Sequence, residues 1–127
     1  SKLHVMADYA KQVTLPVLKA EIGQADESYR TTLKRVQKAI IRERSLMTAT
    51  QAEHLNQILH DNLKLKTVYD YQQRLIEVWT RKYKNNKEML RAVAEWCQEA
   101  EATGIRVLIE FARSLRNYSL QPIYNHA

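Results

Sequence analysis

The chain is 127 residues long, with 45% hydrophobic and 27% charged residues and a formal net charge of +6 at pH 7. That is the length of one domain, able to bury roughly two-thirds of its unfolded surface, and two glycines and two prolines are too few for a turn-rich β fold. The lone cysteine, Cys97, excludes an internal disulfide and fits a reducing compartment.

No apolar run approaches the roughly 18 residues of a membrane span, and no signal-peptide pattern opens the chain. The first residue is Ser1 and the helical pattern is under way at Leu3. The expectation is a single soluble all-α domain over residues 1–127, a bundle of four or five helices with one of them long, forming a piece of a longer protein.

The first predicted helix, 2–22, carries Leu3, Met6, Ala10, Val13 and Val17 on one face. Pro16 should kink or restart it, and Gly23 should close it. Asp26 is the expected N-cap of the second helix, whose apolar face is Tyr29, Leu33, Val36 and Ile40. After a short turn at 45–48, Thr48 and Gln51 form a capping box for the third helix.

The third helix is the long one. Leu55, Ile58, Asn62, Leu65, Tyr69, Gln72, Ile76, Trp79 and Tyr83 step by three and four, the seam spacing of packed antiparallel helices. Asn62 in that seam marks 60–62 as the place for a break. Alternation over 63–69 is the local signature of a strand, but the helical surroundings argue against one. Asn85 and Glu88 make a second capping box for a helix carrying Leu90, Val93, Cys97 and Ala100. Gly104 ends or kinks it before a last helix with Leu108, Phe111, Leu115 and Tyr118, and a loosely docked tail should follow Ser119.

Few residues suggest chemistry. His4, His54, His60 and His126 contain no i, i+4 pair of the kind that binds zinc on a helix, and they read as surface residues. Cys97 lies in an apolar stripe beside Glu95, Glu99 and Glu101, acids that would raise its pKa, so it reads as core. Those glutamates have no partner cluster and read as a solvated face. Tyr69, Tyr71, Trp79, Tyr83, Trp96 and Tyr118 stand at core spacing, with Trp79 the one most expected to be buried. Neither glycine belongs to a phosphate-binding loop.

Charge is the feature with functional leverage. Residues 28–44 hold six cations against Glu43 alone, a net +5. Arg30, Lys34, Lys38 and Arg42 recur every four residues and would form a stripe facing an anionic partner: lipid headgroups, nucleic acid or an acidic protein. A merely solvated face is the alternative.

Several stretches resemble the cytoplasmic C-terminal region of bacterial membrane fatty-acid desaturases: 3–10, the Val17-Leu18 region, 34–39, 42–46, 65–71, 73–75 and 96–118. This similarity implies a non-catalytic soluble appendage to a membrane oxidoreductase of lipid metabolism. It would lie in the cytoplasm at the inner-membrane surface, contacting the parent membrane domain or anionic lipid, or mediating assembly as a homo-oligomer. The family's histidine boxes and di-iron centre would belong to the parent domain, so the resemblance assigns this segment no catalytic, cofactor-binding or metal-ligating residue. Residues 100–105 and 111–116 are also similar to a helical stretch of DDE-type insertion-sequence transposases, which implies a DNA-associated helical domain. A helical protein-interaction module is the third reading.

Overall fold

The computed structural model describes the backbone of residues 2–125 and the side chains of residues 2–118. Its described residues are all-α. Helices α1 (Lys2–Tyr9) and α2 (Leu15–Gln24) join through a π-helical turn, Ala10–Thr14, into one continuous rod. Then follow α3 (Glu27–Arg35), a 3-10 turn at Arg44–Leu46, α4 (Ala49–Asp61), α5 (Leu63–Thr80), α6 (Asn86–Glu101) and α7 (Arg106–Asn125). Counting the rod once gives six helices, one more than the upper expectation, because the long third helix divides at Asn62.

The rod shows how proline is absorbed. Pro16 has no N–H to give, and it stands in the first turn of α2 directly after the wider π turn. A π turn breaks the i→i−4 ladder locally, so the chain passes Pro16 without ending. Gly23 does not close the rod. A stopping glycine takes a positive φ, whereas Gly104 has the positive φ, at 77°. The rod ends where Ala25 turns extended, at φ −81° and ψ 149°.

Three caps form as their sequences require. Asp26 accepts the Tyr29 amide at 2.8 Å. Thr48 accepts the Gln51 amide while Gln51 Oε1 accepts the Thr48 amide, both at 3.1 Å. Asn85 accepts the Glu88 amide at 3.0 Å, but only half of the second capping box appears, because Glu88 reaches the amide of Lys84 instead, at 3.4 Å. Asn62 ends α4 and caps α5, accepting the Leu65 amide at 3.0 Å. Its side-chain amide donates to Glu21 Oε1 at 2.8 Å and to the Tyr29 hydroxyl at 3.2 Å, tying α5 to α2 and α3.

One apolar cluster links every helix. Its aromatic centre is Trp96 on α6, in edge-on contact with Tyr9, Tyr71 and Phe111 at centroid distances of 6.0–6.2 Å. The Trp96 indole N–H donates to the Tyr71 carbonyl at 3.0 Å, and the Tyr9 hydroxyl donates to the Val68 carbonyl at 2.5 Å. Trp96, not Trp79, is the buried tryptophan, because α5 turns Leu75 and Val78 inward and leaves Trp79 half-buried near its last turn. Tyr83 is half-buried, and Tyr118 and Leu3 are about 80% exposed. The α7 backbone stays helical to Asn125, past Ser119; His126 lies outside the described residues.

Candidate nucleic-acid interface

The basic tract begins on α3. Leu33, Val36, Ala39 and Ile40 are buried and turn Arg30, Lys34, Lys38 and Arg42 outward, all four exposed. They do not follow one straight helical line. Regular helix ends at Arg35, Val36 takes φ −95° and ψ 3°, and a run of turns continues to residue 41. Val36, Ile40 and Ile41 are β-branched and disfavour a continuing helix. Bonds from the Ile40 amide to Val36 O at 2.9 Å and from the Arg42 amide to Ala39 O at 3.1 Å hold the turns.

The electrostatics depend on where the tract's single acid goes. Glu43 pairs with Lys2 of α1 at 3.0 Å and makes no ion pair with a stripe cation. Arg30 donates to the Ala25 carbonyl at 3.2 Å, a neutral acceptor that leaves its charge intact. The side chains of Lys34, Arg35, Lys38 and Arg42 make no hydrogen bond or ion pair among the described residues. Arg44, also exposed, is engaged instead: it donates to Asn56 and lies over the Tyr69 ring, 5.9 Å from its centroid. Burial raises the Tyr69 pKa, opposed by Arg44.

Cys97 is fully buried and its thiol is pushed up to about 11, chiefly by burial, with Arg116 opposing and Glu101 adding. Burial therefore outweighs the acidic neighbours on which the sequence argument rested. Glu99 pairs with Arg74, and Glu101 with Arg116 at 3.1 Å, so two of the three glutamates tie α6 to other helices. Among the described residues, no group of three or more His, Cys, Asp or Glu could hold a metal ion. His4 lines a cleft of about 490 Å³ with Val5, Asp8, Phe111 and Leu115; no stripe residue takes part in it.

A second basic tract, invisible to a search for four-residue spacing, joins α5 to α6. Residues 81–91 hold Arg81, Lys82, Lys84, Lys87 and Arg91 against Glu88 alone, a net +4. A running charge sum is the signal that finds it. Outside the two tracts the chain is net negative.

The fold and surface define a class: an all-α module that exposes clusters of cations without side-chain partners among the described residues. The chain belongs to the ISL3-type family of DDE transposases, whose family model, described as a transposase, matches residues 2–126. It is 30% identical over 117 residues to the transposase for insertion sequence element IS1001 of Bordetella parapertussis, covering 91% of this chain and 28% of that protein. The chain thus spans little more than a quarter of that relative's length. No solved structure matches it.

These findings overturn the desaturase resemblance, and with it the oxidoreductase and lipid-metabolism assignments. The scattered identities behind it lay largely in amphipathic helices, where apolar and basic residues recur in many unrelated proteins. The short similarity over 100–116 was the informative one. Among the described residues, no helix is long and apolar enough to cross a membrane.

Proposed function

We propose that this chain is a helical, DNA-contacting part of a DDE-type transposase, which grips the phosphate backbone and supplies no catalytic group of its own. The observation that carries this reading is the diversion of Glu43 to Lys2, which leaves Arg30, Lys34, Lys38 and Arg42 uncompensated on the surface. Exposed cations fixed by buried neighbours suit phosphate contacts, which position a protein on DNA without reading its sequence. Membership of a transposase family makes nucleic acid the matching anion. Cutting and joining of DNA would be work of the whole transposase.

Binding of the 127-residue chain to duplex DNA, measured across salt concentration, tests the reading. Each phosphate contact contributes about 0.9 to the slope of log affinity against log salt. Replacing Arg30, Lys34, Lys38 and Arg42 together by Gln should flatten that slope by about 3 to 4, alike for element-end and random duplexes. An unchanged slope in a variant that retains its helical circular dichroism would make the stripe a solvated face.

A further inference from the structure

We infer that the connection between α5 and α6 is a second, separate contact for the DNA backbone, an inference that rests on the reading of the chain as a DNA-contacting part of a transposase. The connection is a braced elbow. The Arg81 amide bonds to Glu77 O at 2.9 Å, and its guanidinium pairs with Glu77 at 3.0 Å while lying over the Tyr83 ring at 6.0 Å. Tyr83 folds back and donates its hydroxyl to Val78 O at 2.8 Å. On the far side, Asn85 caps α6 and Glu88 holds the Lys84 amide.

These contacts use up Arg81 and commit Glu88 to a backbone amide. Lys82, Lys84, Lys87 and Arg91 are left exposed, with no hydrogen bond or ion pair from their side chains among the described residues. Glu88 and Glu95 line a shallow depression with Arg81, Lys82 and Arg91. Lys84 and Lys87 do not line it. The braced turn, with Lys82 and Lys84, and the start of α6, with Lys87 and Arg91, thus present four cations, and ordering them against a phosphate chain costs little backbone entropy. Duplex DNA, with one negative charge per roughly 1.7 Å of axis, is the complementary partner.

The test replaces Lys82, Lys84 and Lys87 together by Gln and compares this variant with a control carrying Lys11→Gln, Lys19→Gln and Lys64→Gln. The control also removes three exposed lysines, so net charge falls equally. The elbow variant should flatten the salt slope by about 2 to 3, the control by less than about 0.5, and both should keep native helical circular dichroism. Equal effects, or an unchanged slope in the elbow variant, overturn the inference while leaving the Arg30–Arg42 contact standing. Absence of salt-dependent DNA binding by the unaltered chain would overturn both.

Discussion

Trp96 and Tyr71 are joined twice: the indole N–H of Trp96 reaches the Tyr71 carbonyl at 3.0 Å, and the two rings meet edge to face at 6.0 Å. The same indole touches Tyr9 and Phe111, so one side chain of α6 connects the first rod, α5 and α7. Replacement by Phe keeps an aromatic ring but removes the donor, and should cost about 1–2 kcal/mol. Replacement by Ala leaves a cavity and should cost about 3–5 kcal/mol. Urea unfolding followed by circular dichroism measures both; equal costs would mean that the hydrogen bond and ring contacts contribute nothing separable.

Asn62 tests whether the break between α4 and α5 is built or incidental. Asn62→Ala should destabilise by about 1–2 kcal/mol, since the cap and two side-chain donors go together. Asn62→Asp keeps the capping acceptor but sets a carboxylate against Glu21. Its penalty should therefore shrink as pH falls and the acids protonate, and thermal midpoints at pH 4 and pH 7 would show this. A pH-independent penalty would mean that Glu21 is not felt.

The two glycines should respond in opposite directions. Gly23 sits inside α2 with no atom within 4 Å of an added Cβ, so Gly23→Ala should stabilise by about 0.5–1 kcal/mol. Gly104 has equal room, but its φ of 77° strains any L side chain, and Gly104→Ala should destabilise by about 1 kcal/mol. Thermal unfolding of the two variants settles the pair; a shift of the same sign in both would contradict the assigned backbone roles.

Cys97 makes a pH prediction. The unfolded thiol ionises near its ordinary value of 9.0, the folded one near about 11. Between those values the unfolded state binds fewer protons, so stability is fully present below pH 9 and falls as pH rises through the window. Tyr9, whose pKa burial also raises, adds to the fall. Cys97→Ala should make the decline of the urea midpoint from pH 9 to pH 11 shallower, and native Cys97 should resist iodoacetamide at pH 8 until urea unfolds the chain. Rapid native alkylation would contradict the burial.

Much of the local structure was legible because short-range rules govern it. Asp26, Thr48 and Asn85 announce helix starts through side chains that reach only three residues along, and all three cap as expected. Leu33, Val36, Ile40, Val93 and Cys97 declared their burial through helical period. The basic stripe was visible as residues, and its exposure followed from that apolar spacing. The family was not legible from physics: amphipathic periodicity is common property, and it lent the desaturase likeness weight that the comparison removes.

The sequence by itself determined that the chain is helical, where three of its helices begin and that its cations gather in 28–44, because capping, periodicity and charge are local quantities. Tertiary structure decided what depends on contact between distant segments. It chose Trp96 over Trp79 for the core, since burial depends on which neighbours a face meets. It made Asn62 a junction by placing Glu21 and Tyr29 beside it. It drew Glu43 away to Lys2, and that pairing across 41 residues leaves the stripe with its charge uncompensated.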